Sequence, residues 1–266
     1  MVAPEDAFET AARDRAERIT AHDKVRDSAD FIGEQARLQR LTKDFIEAIR
    51  AASFAFTRYP DSEKWLLQSS TDDLLESAVA IHALAEQGVF NAGRRELRYM
   101  LELVVKCVFV DQQLPGGTPL DDRVTFAKDT NRVPRSSVDV ADQLVIRMLS
   151  DPELLANEVR GLFGSLSGYV HVSGTQFDER FVRAKRGELV GFESVKSLRA
   201  FNAALTNAYD ILLVLIFEGI GPMFTGDLFI QLFDSDPKWK FHKTKYTAQV
   251  SSFFDYKTER RSQPEA

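Results

Sequence analysis

The chain has one cysteine, Cys107, in 266 residues, which excludes an intramolecular disulfide framework and a cysteine-based zinc site. Long apolar runs are also missing. The most lipophilic stretch, ILLVLIF at Ile211 to Phe217, is seven residues between Asp210 and Glu218, whereas a membrane crossing takes about 20. It reads as part of a buried core helix. The opening residues, MVAPEDAFETAARDRAERITAHDK, carry charge throughout and lack the apolar region of a secretory signal. These absences point to a reducing, cytoplasmic setting with no membrane. Tyrosine and tryptophan are scarce, 6 and 2 against 20 phenylalanines, and phenylalanine fills volume without a polar atom to satisfy. That composition suits a helix-packed interior better than a base-stacking surface. Catalytic signatures are missing too: there is no phosphate loop, no complete Gly-x-Gly-x-x-Gly and no His-Glu-x-x-His. None of His22, His82, His171 or His242 follows a glutamate by three residues, so the Glu-x-x-His pairs of di-iron bundles are absent. GSLSG is not a nucleophile elbow, since the step from Gly164 to Ser167 has one residue too many. No metal and no cofactor is expected.

What is present is helical. Leu38, Leu41, Phe45, Ile46 and Ile49 recur at three- and four-residue steps, one face of a helix over 31–56. Ser70 and Thr71 followed by two aspartates predict a helix start, with its end near Gln87. Further helices are expected from Gly93 to the LPGGTP break, over 119–129, over 137–149, from Asp151 with Pro152 at the first helical position, over 193–218, and within 222–254. Three glycines, Gly161, Gly164 and Gly168, would lay a bare stripe along the helix after Asp151, a surface another helix could approach closely. RFVRAKRGELVGF, near residues 180–192, reads as a short hairpin or a plain loop. The fold class is all-α, a bundle of about seven to nine helices. Its organisation is an exposed charged arm at 1–30, one bundle domain at 31–256 and a polar, disordered tail at 257–266. Net charge is −6, yet residues 236–261 hold seven Lys or Arg against three acids. This basic end could meet phosphate, or be a solvated tail.

Two polar clusters stand in apolar surroundings. In GRRELRYMLELVVKC, a turn of about 100° per residue puts Arg95, Arg98, Glu102 and Lys106 on one stripe, with Arg94 one position aside. If buried, the stripe is a structural ion-pair ladder that fixes register; if open, its arginines face a phosphate or carboxylate in a polar pocket. The second cluster is SLSGYVHVS. If the helix continues, Ser167 lies one turn before His171 and can hydrogen-bond its ring; if it ends, Gly168 lets the chain bend. Tyr169 and Ser173 complete a hydroxyl-rich neighbourhood for a histidine suited to acid–base work.

RRELRYMLE followed by LSGYVH resembles the HEPN-like bacterial helical proteins over about residues 72–172. The resemblance implies an all-α cytoplasmic protein, often homodimeric, found in toxin–antitoxin, abortive-infection and other antiphage systems, where many members are metal-independent ribonucleases. Catalytic members carry an arginine, then four to six residues, then a histidine. Here Arg160 precedes His171 by eleven positions, about 16 Å along an unbroken helix, so those two cannot share a site within one helix. The spacing is met only by Arg15 and His22 on the charged arm, which chance alone supplies about once in this composition. A composite site is expected instead: His171 as acid–base, with Arg98 and Glu102 across packed helices, and Arg94, Arg95, Lys106, Ser167 and Tyr169 about the ligand. RNA or a protein partner would then be bound, with a homodimer as the assembly. The competing reading is a non-catalytic interaction or dimerisation module whose polar ladder is architecture, and a small-ligand pocket within the bundle is a third.

Overall fold

Four long helices enclose the core of the computed structural model, which describes residues 4–134, 136–170, 174–185 and 191–254. They are α2 (Ala29–Phe56), α4 (Thr71–Glu86), α5 (Phe90–Gln113) and α9 (Val195–Ile220), with α2 packed on α4 and α9, and α5 on α4 and α9. Their facing sides are nearly all apolar, from Leu38, Phe45 and Ile49 on α2 to Leu205, Leu212 and Val214 on α9. Two of the four, α2 and α9, start at a serine that satisfies a free N–H group: Ser28 accepts from the Phe31 N–H at 3.3 Å and Ser194 from the Ser197 N–H at 3.2 Å, whereas Ser70 before α4 makes no side-chain cap. Preceding them, α1 (Pro4–Arg26) is exposed from residue 8 to 21 and touches the bundle only near its end, where the His22 and Phe192 rings lie 5.0 Å apart.

The remaining elements surround this core: α3 (Leu66–Ser69), α6 (Leu120–Lys128), α7 (Pro152–Ser167), α8 (Gly174–Lys185), α10 (Pro222–Leu228) with a π-helical turn (Phe229–Phe233), and α11 (Thr247–Phe253). The regular structure of the described residues is all helical, with twelve helices, eleven α and one π, and no strand, more than the seven to nine expected. The extra ones are short pieces such as α3 and the π-helical turn, below the length at which periodicity can register. The hairpin expected near 180–192 is not formed in the described part, because α8 runs to Lys185; residues 186–190 lie outside the described residues. The tail at 257–266 lies outside them as well.

Three buried carboxylates on the long helices hold the irregular segments. Asp111 accepts the Leu66 and Leu67 N–H groups at 3.0 and 2.9 Å and pairs with Arg123 at 3.0 Å, a guanidinium with no exposed surface. Asp210 accepts the Tyr246 and Thr247 N–H groups, each at 2.9 Å, and so seats the start of α11. Glu218 accepts the Arg147 and Met148 N–H groups at 2.9 and 2.6 Å. That last contact explains why the helix expected over 137–149 is only a 3-10 turn (Ser137–Gln143) followed by extended chain. A side chain 70 residues away in sequence takes the N–H groups that a helix would have used. Burial pushes the Asp111 and Glu218 carboxyls above the ordinary range, while their N–H donors, and Arg123 for Asp111, pull them back.

By length and composition α9 could cross a membrane: an 18-residue window has a mean hydropathy of 1.6, and 72% of that window is buried in the bundle. The glycine stripe of α7 does not receive a helix. A methyl group built at Gly161 or Gly164 would meet nothing within 4 Å, because α7 packs through Leu155, Val159 and Leu166 on another face.

Candidate functional site

The site is built from the start of α5, the end of α7 and the length of α8. The turn into α5 uses Gly88 at φ +69°, a conformation that costs glycine little. No side chain caps the helix, and its first backbone bond runs from the Gly93 N–H to the Val89 carbonyl at 3.3 Å. The N–H groups of Phe90, Asn91 and Ala92 therefore have no acceptor within the helix and mark its electropositive end. Gly93 permits this end to lie against α9: a Cβ there would come within 3.2 Å of the Phe201 ring.

From this platform the α5 arginines diverge. Arg94 covers the Tyr169 ring at 4.6 Å and reaches Phe201 at 5.8 Å, while its Nη1 donates to Asn91 Oδ1 at 2.8 Å. Arg98 lies over the Phe163 ring of α7 at 4.5 Å and pairs with Glu102 at 3.5 Å. Arg95 turns to solvent beside α8. The expected stripe is thus neither continuous nor buried. The Arg98 and Glu102 side chains keep 19% and 28% of their surface, and Lys106 forms no ion pair with a described residue. Helix packing turns Arg94 and Arg98 onto aromatic rings, leaving one i,i+4 pair in place of a ladder.

The helix carrying the second cluster ends at Ser167, and two turn bonds, Tyr169 N–H to Leu166 and Val170 N–H to Ser167, carry the chain onward. Ser167 spends its proton on the Phe163 carbonyl at 2.7 Å, so its hydroxyl is a helix feature. His171, with Val172 and Ser173, lies outside the described residues. What the structure does bring together are the flanks of the two motifs: Tyr169 against Arg94, and Phe163 against Arg98. The Tyr169 hydroxyl donates to Glu179 Oε1 at 2.5 Å, and burial, reinforced by that carboxylate, pushes the phenol up to about 12. Glu179 Oε2 is also 4.0 Å from Arg94 Nη1.

This triad docks α8 and leaves a cavity of about 380 Å³ between α8 and the first turn of α5. Its wall includes Arg95, Arg180 and Arg183, and Glu179 is its one acidic residue among those described. No described carboxylate pairs with any of the three arginines. The Nε and Nη2 atoms of Arg183 are shielded from solvent without a hydrogen-bond partner among the described residues, and its guanidinium sits 5.9 Å from the Phe90 ring centre. A second cavity, about 330 Å³, lies toward α9 and shares Phe90, Glu179 and Arg183 with the first. No group of three or more His, Cys, Asp or Glu suited to a metal ion occurs among the described residues.

Arg94, Arg95 and Tyr169 of this site stand out in the sequence, whereas Glu179, Arg180 and Arg183 do not. Their signal was faint: Phe177, Phe181 and the Arg180–Arg183 step have helical spacing, which the glycine after Arg186 obscured. The chain matches no protein-family model, no curated protein and no solved structure.

Proposed function

We propose that the protein binds a phosphate-bearing ligand of the nucleic-acid class in the cleft between α5 and α8, in a bacterial nucleic-acid-linked defence or stress system. One observation carries the reading: Arg95, Arg180 and Arg183 converge on a single cavity whose acid, Glu179, is already engaged by Tyr169 and Arg94. Unpaired guanidiniums in a concave site suit phosphate oxygens, because the planar fork offers two parallel donors to each anion. The N–H groups at the start of α5, which have no acceptor within the helix, add to the same field.

The finer form is RNA cleavage without a metal, in which His171 exchanges protons, Arg98 stabilises charge on the phosphate and Glu102 positions that arginine. It is supported by the HEPN-like resemblance and by Tyr169, two residues before His171, lying on Arg94. A second reading, a non-catalytic interaction module, is favoured by the outer face of α8, where Phe177 and Phe181 are 49% and 65% exposed.

The test is fluorescence anisotropy with labelled single-stranded RNA across a salt series, together with a cleavage assay, on wild type, Arg183→Ala and His171→Ala. Each lost phosphate contact should lower the log–log salt slope by about 0.7. Binding by natively melting Arg183→Ala that equals wild type would remove the cleft from consideration, and RNA cleavage indifferent to His171→Ala would remove the finer form.

A further inference from the structure

We infer that the cleft takes a terminal phosphate, a phosphomonoester, in preference to the internal phosphodiester of a polynucleotide. This rests on the phosphate-binding reading above and narrows it. Three guanidiniums with no described carboxylate partner, set against the single carboxylate of Glu179, give the cavity lining a formal charge of +2, and Glu179 is itself turned to the Tyr169 hydroxyl at 2.5 Å and to Arg94 at 4.0 Å. An internal diester brings one negative charge and two free oxygens. A monoester brings about −1.5 to −2 at neutral pH and three acceptor oxygens, so it meets more of these donors and neutralises more of this charge.

The arrangement of donors supports the same choice. Arg95 stands on α5, whereas Arg180 and Arg183 stand one turn apart on α8, so the three approach the cavity from two walls. Two walls can surround a phosphate end. A continuous strand, by contrast, is tracked by a basic groove that follows its backbone. Arg183 lines the first cavity, and its Nε and Nη2 lack a protein acceptor among the described residues, so no described group competes for this guanidinium. Arg183 also forms part of the second cavity, where Phe90, Ser197 and Ala200 leave about 330 Å³ for the group that carries the phosphate.

Two sources share this chemistry, the phosphorylated end of an RNA and a free nucleotide, and titration calorimetry with the full chain separates them. The probes are a 5′-phosphorylated RNA octamer, the same octamer with a 5′-hydroxyl, and a nucleoside 5′-monophosphate. Expected is binding about tenfold or more tighter for the phosphorylated octamer than for its hydroxyl twin, the scale of one added charge-assisted contact. Arg180→Ala should abolish that preference; Arg183→Lys, which retains charge but loses the fork, should reduce it while leaving the melting temperature unchanged. Nucleotide binding as tight as that of the phosphorylated octamer assigns the site to free nucleotides, and binding of the octamer alone assigns it to RNA ends; both support the inference. Equal binding of the two octamers, lost in Arg180→Ala, overturns the terminal-phosphate inference and leaves the phosphate-binding reading standing. No binding of any probe overturns both.

Discussion

Replacing Glu218 tests how the carboxylates of this core act, and the structure sets the size of the effect. Glu218 is 2% exposed, and its Oε1 alone accepts the Arg147 and Met148 N–H groups at 2.9 and 2.6 Å. Glu218→Ala withdraws the acceptor from both donors at once. Each hydrogen bond to a charged group contributes about 1.5–3 kcal/mol, so the gross loss is about 3–6 kcal/mol. Part is returned, because burial penalises the charged form, as the raised pKa of this group records. A net loss of about 2–4 kcal/mol lowers the melting temperature by about 5–15 °C in a chain of this size. Glu218→Gln preserves Oε1 but puts an amide donor where Oε2 lies shielded without a described partner, so its loss should be smaller. The pH dependence follows from the direction of the shift. A folded-state pKa above the unfolded value means the fold favours the protonated acid, so this group's contribution is greatest below the unfolded pKa and declines as pH rises through the folded one. Thermal melts of the three proteins from acid to neutral pH isolate it, since Glu218→Gln lacks the titration and the wild-type-minus-Gln difference should shrink as pH rises. An Ala variant that melts with wild type at neutral pH, or a difference flat across that range, would refute the argument.

Cys107 is buried and its thiol is pushed up to about 12, so a disulfide reagent at pH 8 should label it only through unfolding; labelling at a free-thiol rate in native buffer would contradict the burial. Tyr169→Phe releases Glu179 beside the three arginines, and affinity for a phosphorylated probe should fall about three- to tenfold, the scale of about 1 kcal/mol, in calorimetry at constant salt; unchanged affinity would show that this bond does not keep the cavity basic. Arg123→Lys replaces the fork that joins Asp111 to the Pro115 carbonyl at 2.6 Å with one ammonium group, and a loss of about 2–4 kcal/mol is expected from chemical denaturation, against none if the pair is dispensable.

Much of the fold was legible because its long helices announce themselves locally. The α2 face from Leu38 to Ile49, the acids opening α4, and Asp151 before Pro152, where the aspartate accepts the Leu154 N–H at 2.9 Å, are all signals within one or two turns of chain. Segment 137–149 failed for the opposite reason: its composition allows a helix, but the competing acceptor is Glu218, distant in sequence and invisible to any local pattern. The site divided along the same line. Arg94 and Tyr169 stood out as polar residues in apolar runs. Their meeting, and the turning of Arg98 onto Phe163, depend on how α5 and α7 pack, which helical spacing on one element does not specify. Arg180 and Arg183 do not stand out, because twelve residues of amphipathic helix just before Gly187 look much like a loop.

The acids of α9 also bear on how the nascent chain is sorted. A 26-residue helix of this hydropathy resembles a stop-transfer segment to the insertion machinery before the rest of the protein has formed around it. Asp210 sits near its midpoint, where a lone aspartate adds about 3 kcal/mol to the apparent free energy of insertion. The carboxylate that later seats α11 therefore weighs, during synthesis, against capture of its own helix by a bilayer.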